Sequence, residues 1–588
     1  MVANLLKNIL FYISLRCMEK NWNIRPKMEI ADVDSVSQVL QLPPVISMLL
    51  MQRGITTQEA ARAFFHPKLT DLHNPFLMKD MDLAVERINR AALNGEKLLI
   101  YGDYDVDGTT SVAMVYSFLK RHLGEDKLYF YIPNRYTEGC GISYQGIDYA
   151  KEKGVSLVVA LDCGIKAVEK VAYAKMLGID FIICDHHTPG DILPEAVACL
   201  DAKREDCSYP DKNLSGCGVG FKLMQAFCRV NNYKEQELLE NLDLLVVSIA
   251  SDIVPMVGEN RVLAFHGLKK INENPSVGMK AIVALTGLDK KVISISDIVF
   301  KIGPLINAAG RMNTGNDAVR LLICEDLEEA QRICLDIDAS NEERKGLDRT
   351  ITKEAKLYIS SNSNFKHEKT IVLFNEQWHK GVIGIVASRL MEVYHKPTVI
   401  LTKSGEYATG SARSVDGFDL YKAVEMCSDL LENFGGHMYA VGLTMKLENV
   451  EAFKRRFEEY VKETIIPEQT QPQIDVDTEL HLSSITTKFY RLLTQFEPFG
   501  PGNMRPVFVS NDVFDYGTSK LVGKSHRHLK LELIEMHNRE TMHGMAYFMD
   551  DKLSIVKSGN PFKICYSIEE NEYKGTKMLQ LSVLDIHA

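Results

Sequence analysis

At 588 residues the chain exceeds what one hydrophobic core usually supports, so three or four domains are expected. With 46% hydrophobic and 25% charged residues it reads as globular and soluble, which argues against the disordered and membrane classes. A net charge of −10 argues against a chain that binds polyanions all over its surface, but it averages over domains and includes any acids that bound cations would neutralise.

The opening stretch "MVANLLKNILFYISLRCMEK" is broken by Lys7 and Asn8, lacks a small-residue cleavage pattern and is too short to span a bilayer. It reads as an amphipathic first helix or as sequence ahead of a start at Met18, and the second is preferred. Residues 1 to 80 form a mostly helical segment with no visible chemistry, in which "TTQEAARAFFHP" sets Thr and Glu three apart ahead of an apolar period, a capping-box pattern. The twelve cysteines are scattered without CxxC or zinc-like spacing, which fits a reducing cytoplasm and no disulfide framework.

From residue 81 short apolar runs alternate with helix patterns: "KLLIYGDYDVDG" then "TTSVAMVYSFLKRHL", "VSLVVALDCG" then "IKAVEKVAYAKMLG", and "IDFIICDHHTPGD". Buried strands alternating with helices predict an α/β domain with a parallel sheet over 81–325. Each polar cluster comes just after its strand, at the carboxyl end where open α/β sheets gather their active sites.

Asp103, Asp105 and Asp107 alternate and are closed by Gly108; Met114 stands where a calcium loop would carry its final glutamate. Asp162 ends the second run, Asp185, His186 and His187 the third, and Asp252 ends the apolar run "SIASD". Singly, Asp162 and Asp252 could be helix caps, and histidines at a strand end could be ordinary loop residues. Together they form a carboxylate and imidazole set suited to two Mn²⁺ or Mg²⁺ ions, the arrangement used for in-line attack at phosphorus. "LSGCGVGFKL" lacks the spacing and ending of a nucleotide loop and reads as a tight strand-to-helix packing turn.

A charged run over 326–360 predicts a connector helix, followed by a second α/β lobe over 361–465. After the linker "IIPEQTQPQ", short strand patterns with Gly and Asn turns over 466–588 predict an OB-like β-barrel. Its stretch "KLVGKSHRHLKLEL" brings Lys520, Lys524, Arg527 and Lys530 near His526 and His528, either a single-strand nucleic-acid groove or a solvated hairpin.

"DYDVDG", "LDCG", "CDHH", "SIASDIVP" and "PLINAAGRM", in this order, resemble the DHH phosphoesterase superfamily and within it the RecJ family of single-strand-specific exonucleases, over about 85 to 588. The resemblance implies 5′-to-3′ hydrolysis of single-stranded DNA to 5′-mononucleotides, in recombination and mismatch repair. It implies metal ligands Asp105, Asp107, Asp162, His186 and Asp252. Asp103 joins them because Tyr101 stands where many relatives carry a histidine. It implies a scissile-phosphate contact from His187, oriented by Asp185. For substrate it implies Asn134, Arg135, Tyr144, Asn307 and Arg311 in the first lobe. In the second lobe it implies Ser411 and Arg413 as a 5′-phosphate pocket, with His379, Gly435, Gly436 and His437 gripping the nucleic-acid end. A surface salt bridge is the alternative for Arg135, and structural turns for the glycines. DNA threading between the lobes would exclude duplex by width. Partners implied are single-stranded DNA, with single-strand-binding protein and a helicase nearby, for a cytoplasmic monomer. The rival classes are a phosphodiesterase of short oligonucleotides or cyclic dinucleotides, against which the barrel argues, and a non-catalytic binding relative, against which the retained acids argue.

Overall fold

Three apolar strand runs, each buried on both faces, set the architecture of the first lobe. The computed structural model describes residues 19–26, 28–312, 315–536, 541–573 and 576–588; the two readings of the opening segment fall outside them.

Strand β1 (Asn21–Ile24) is followed by helices α1 (Ile30–Leu40), α2 (Pro44–Met51) and α3 (Gln58–Phe65). The cap of α3 lies one residue beyond the expected Thr56: Thr57 accepts the N–H of Ala60, and Glu59 already lies in the first turn. After α4 (Met81–Asn94) come β2 (Lys97–Gly102), α5 (Val106–Leu123), β3 (Leu128–Tyr131), α6 (Tyr144–Glu152), β4 (Val155–Leu161), α7 (Val168–Met176), β5 (Asp180–Cys184) and β6 (Ala198–Leu200). These strands form a five-stranded parallel sheet in the order β3-β2-β4-β5-β6. Leu98, Ile100, Leu157, Val159 and Ile182 face one hydrophobic cluster, while Leu99, Tyr101, Val158, Ala160 and Phe181 face another. Burial on both faces is why the strands read as continuous apolar runs. Helices α8 (Gly216–Asn231), α9 (Leu242–Ser251), α10 (Gly258–Glu273) and α11 (Gly303–Met312) complete this lobe.

The run expected as a connector between the lobes is the 35-residue helix α12 (Leu327–Ser361). Ala330, Cys334 and Ile337 join the core of the first lobe, whereas Ile351, Ala355 and Ile359 join that of the second, so one helix is keyed into both. The second lobe runs through β7 (Ile371–Phe374), α13 (Ile383–Tyr394), β8 (Thr398–Ser404), β9 (Tyr407–Arg413), β10 (Leu431–His437), β11 (Ala440–Lys446) and α14 (Val450–Thr464). Its sheet has the order β10-β11-β9-β8-β7, parallel only between β7 and β8.

Beyond β12 (Gln473–Val476), the strands β13 (Thr478–Glu479), β14 (Phe508–Asp515), β15 (Lys520–Val522), β16 (His528–Glu535), β17 (Met542–Ala546), β18 (Phe562–Tyr573) and β19 (Thr576–His587) form one sheet, curled so that β14 also pairs with β16. This closure is that of a small barrel. The N-terminal helices belong to it. Leu40, Ile46, Leu49, Leu50 and Ala61 share its core with Phe496, Phe508, Leu531 and Ile564, and β1 pairs in parallel with β12. Helices α1, α2 and α3 are therefore packed onto the C-terminal barrel, whereas Leu69, Leu72 and Met78 pack against the core of the first lobe. Arg261 of α10 ties barrel to first lobe, donating to the carbonyls of Phe496, Glu497 and Pro498 while its guanidinium covers the Phe64 ring at 3.9 Å.

Candidate active site

The carboxyl ends of β2, β4 and β5 and the C-terminus of α9 meet at one buried cluster. Asp105 caps α5, accepting the N–H of Gly108 at 3.0 Å. A side chain at Gly108 would collide with the Asp103 backbone, at 2.4 Å from its carbonyl oxygen, so only glycine permits this turn. Asp107 is 1% exposed and held by three close donors: the N–H groups of Gly216 (2.7 Å) and Cys217 (2.9 Å) and the hydroxyl of Ser248 (2.7 Å). "LSGCG" opens α8 with the tight glycine packing expected, here against the end of β4, and its first N–H groups also cradle a carboxylate. Gly216 is required there, because its Cβ would lie 2.5 Å from that of Asp162.

His186 is buried at the centre. Its Nε2 lies 3.1 Å from Asp162 Oδ1, 3.5 Å from Asp252 Oδ2 and 3.8 Å from Asp107 Oδ2. Among the described residues neither ring nitrogen of His186 nor Asp162 Oδ1 has a hydrogen-bond partner, although all three are buried. Buried polar atoms without partners are rare and costly, and here they converge. Burial first, then the neighbouring carboxylates, pushes Asp105 up to about 6, Asp252 up to about 8 and Asp162 well above the ordinary range. Burial lowers the pKa of His186, favouring the neutral imidazole that ligates metals. Donor atoms of Asp107, His186 and Asp252 lie within 4.8 Å of one another, as do those of Asp162, His186 and His187. Mutually repelling acids and orphaned donors are the state that divalent cations relieve, so the residues present fit Mn²⁺ or Mg²⁺. Asp103 stands beside the cluster; its carboxylate accepts Tyr104 N at 2.9 Å and the Cys140 thiol at 2.9 Å.

His187 is oriented outward. Its Nδ1 lies 2.7 Å from Asp185 Oδ1, and that hydrogen bond, against the effect of burial, raises its pKa to about 9. Burial would raise Asp185, but the His187 ring and the N–H groups of Ile165 and His187 outweigh it and hold the carboxyl near 2. The result is an imidazolium fixed at the mouth of the cluster.

Facing it across the cleft is a second group of cations. Arg413 on β9 donates to Ser411 Oγ at 2.9 Å, Arg311 on α11 donates to the Gly381 carbonyl at 3.2 Å, and Arg135 lies over the Tyr104 ring at 4.8 Å. The salt bridge considered for Arg135 does not form among the described residues. Burial, then Arg135, Arg344 and Arg413, lowers Arg311 to about 9. Arg344 was not foreseen: it lies on α12, its guanidinium held by Asn341 Oδ1 at 2.9 Å, inside the charged run expected only as a connector. A cavity of about 540 Å³ opens here, lined by Arg135, Arg311, Lys380, Gly384 and Ser411. Burial, then the charges of Arg413 and His187, lowers the pKa of His437 on β10. His379 Nδ1 accepts the N–H of Gly381 at 3.1 Å and so shapes the same wall.

Other expected residues have different surroundings. Asn134 builds its own loop, accepting the N–H groups of Tyr136 and Thr137, and Asn307 is half-buried on α11. The ring of Tyr144, at the start of α6, packs edge-on against Tyr173 of α7 and not against the cluster. Gly435 and Gly436 lie in strand β10, and a Cβ at Gly436 would strike the Ala440 carbonyl at 2.1 Å. On the barrel, Lys520 and Lys530 are cross-strand partners, Lys524 lies in the turn, and Arg527 covers the exposed ring of Phe548 at 5.3 Å. Exposed Tyr547 and Phe548 both touch His528, adding stacking surface to the charge.

Three family models match the chain: the DHH family, N-terminal domain over residues 97–249, the DHHA1 domain over 367–463 and the RecJ OB domain over 476–585. The single-stranded-DNA-specific exonuclease RecJ of Bacillus subtilis is 35% identical over 569 residues, covering 96% of this chain and 70% of that protein. RecJ of Escherichia coli is 30% identical over 574 residues, covering 94% and 98%. Among solved structures, RecJ of Thermus thermophilus in complex with Mn²⁺ has a TM-score of 0.82 at 25% identity, covering 97% of this chain and 79% of that one. An exonuclease RecJ bound to manganese has a TM-score of 0.58 at 30% identity, covering 68% and 98%.

Proposed function

The chain belongs to the family of RecJ single-stranded-DNA-specific exonucleases, and on that premise we propose how its residues divide the work. The protein is a metal-dependent exonuclease that hydrolyses single-stranded DNA with Mn²⁺ or Mg²⁺. Asp105, Asp107, Asp162, His186 and Asp252, with Asp103 alongside, would hold two cations. When bound, these supply Lewis acidity at the attacking and leaving oxygens of the phosphodiester.

The chain's own groups do the rest. The α8 N-terminus and Ser248 fix Asp107 in one orientation. Asp185 keeps His187 protonated and aimed outward, so the imidazolium donates to a non-bridging oxygen of the scissile phosphate as charge develops there. Arg135, Arg311, Ser411 and Arg413 receive the 5′-terminal phosphate, and this fixes the polarity of digestion at 5′ to 3′ with release of 5′-mononucleotides. His379 and His437 line the same cleft. The barrel, with Lys520, Lys524, Arg527 and Lys530, holds the strand further along, a surface that a dinucleotide substrate would not need.

The functional units on this reading are a catalytic lobe over 81–325, a connector over 326–360, a substrate-binding lobe over 361–465 and the barrel over 466–588 completed by the N-terminal helices. A cytoplasmic monomer acting in repair and recombination beside single-strand-binding protein and a helicase is the corresponding cellular reading; the free state of every described cysteine accords with a reducing compartment.

The observation that carries the reading is the convergence of three carboxylates on the unpartnered Nε2 of His186. The test is a nuclease assay with Mn²⁺ on single strands labelled at either end, matched duplexes and a dinucleotide. Mononucleotides released from the 5′ end of single strands are expected. Cleavage confined to the dinucleotide, or binding without cleavage, would reject it.

A further inference from the structure

Lys203 lies outside the cluster of acids and histidines, yet the fold aims it there. The strand order β3-β2-β4-β5-β6 is also the spatial order of the loops that leave the carboxyl ends. Arg135 comes after β3, the Asp103 to Asp107 cluster after β2, Asp162 after β4, His186 and His187 after β5, and Asp201 and Lys203 after β6. Adjacent strands are about 4.8 Å apart, so the end of β6 lies roughly 10 Å beyond that of β4, on the side opposite Arg135.

Two anchors hold Lys203. The wholly buried Asp201 accepts its backbone N–H at 2.7 Å, and its ammonium donates to the carbonyl oxygen of His186. The residue is exposed, and among the described residues the ammonium completes no ion pair. Its charge is still felt inside, where it favours the ionised form of Asp252. An unpaired cation pinned to the backbone of a ligand candidate, at the open edge of the cluster, is arranged to meet an anion arriving from solvent.

We propose that Lys203 binds the phosphate on the 3′ side of the scissile one, so that the strand runs from the arginine pocket beyond β3, across the acids of β2 and β4, and leaves over β6. The assignment rests on the exonuclease activity proposed for the cluster. His187 and Lys203 would then grip successive phosphates, and the pair would set the register in which one nucleotide at a time is presented.

The test uses Lys203→Ala and Lys203→Arg in the full chain, with 5′-phosphorylated di-, tri- and longer oligodeoxynucleotides. Beyond its 5′-terminal phosphate, a dinucleotide has only the phosphate that is cut; a trinucleotide adds the one assigned to Lys203. The alanine variant should lose about tenfold in kcat/KM on trinucleotide and longer strands, and less than about twofold on the dinucleotide. The slope of log kcat/KM against log salt on long strands should fall by about 0.7, the contribution of one phosphate contact on single strands. Arginine should recover most of the loss, and Mn²⁺ affinity measured by calorimetry should stay within about twofold. Equal losses on di- and trinucleotide, a large change in Mn²⁺ affinity, or no loss on either substrate would overturn the assignment. Failure of the wild-type protein to digest single strands from the 5′ end would instead reject the underlying exonuclease activity.

Discussion

Removing the Ser248 hydroxyl tests whether Asp107 is held for metal binding. Asp107 has three close donors, and Ser248→Ala removes the one from a side chain while leaving the Gly216 and Cys217 N–H groups in place. Ser248 is 0% exposed and its hydroxyl also meets Ser215 Oγ at 2.7 Å, so water cannot readily replace it. A hydrogen bond to a charged group contributes about 1.5 to 3 kcal/mol, which corresponds to roughly 10- to 150-fold in an equilibrium constant. Partners that orient metal ligands typically cost 10- to 100-fold when removed, so the Mn²⁺ concentration giving half-maximal rate should rise about 10- to 100-fold. Two titrations measure this: exonuclease rate against Mn²⁺, and calorimetric Mn²⁺ binding without DNA. Saturating Mn²⁺ should restore most of kcat, because the hydroxyl touches neither substrate nor reacting atoms. A half-saturation point within about threefold of wild type in both titrations would refute the reasoning.

Asp162→Ala should abolish cleavage while single-strand binding stays measurable, as read by nuclease and anisotropy assays. Arg413→Ala should weaken 5′-phosphorylated substrates more than 5′-hydroxyl ones; equal losses would reject the 5′-phosphate pocket. The buried acids predict a pH effect on the metal-free protein. Asp105, Asp162 and Asp252 have folded pKa values raised above their unfolded ones, so their contribution is complete at low pH and is lost as pH rises from about 4 through about 8. Melting temperature in chelator should therefore fall over that window, and added Mn²⁺ should remove most of the fall; a pH-independent difference between the two conditions would contradict this. Phe548→Ala should weaken binding of long single strands while leaving dinucleotide hydrolysis within about twofold, since the ring is exposed on the barrel beside Arg527.

The parallel sheet and its strand-end clusters were legible because strands buried on both faces leave continuous apolar runs, and the loop after each is where polar residues begin. Asp162 or His186 alone would have been ambiguous; their joint placement comes from strand order, which alternation with helices predicts. The place of the N-terminal helices was not legible. Their apolar period shows that Leu40, Ile46 and Leu50 are buried but not against what, and the partners, Phe496 and Leu531 among them, lie more than 400 positions away. Arg344 was hidden for a related reason: a charged run reads as a connector, and only its packing against two lobes brings one of its arginines near Arg311. The cradle at Gly216 did leave a signal, small residues after Ser215 at a helix start, but its meaning depended on the distant Asp107. The packing of Tyr144 on Tyr173 was not legible either, because proximity in sequence to Asn134 and Arg135 says nothing about the direction of a ring that opens the next helix.

The central claim is that one cluster of acids and His186 holds the catalytic cations. Anomalous diffraction from crystals of the protein soaked in Mn²⁺ tests it most directly. Two peaks are predicted, about 3.5 to 4 Å apart, both within coordination distance of carboxylates among Asp105, Asp107, Asp162 and Asp252, with His186 on one of them, and diminished in Asp162→Ala. A single peak elsewhere, or none at this cluster at a Mn²⁺ concentration that supports full nuclease activity, would contradict the account.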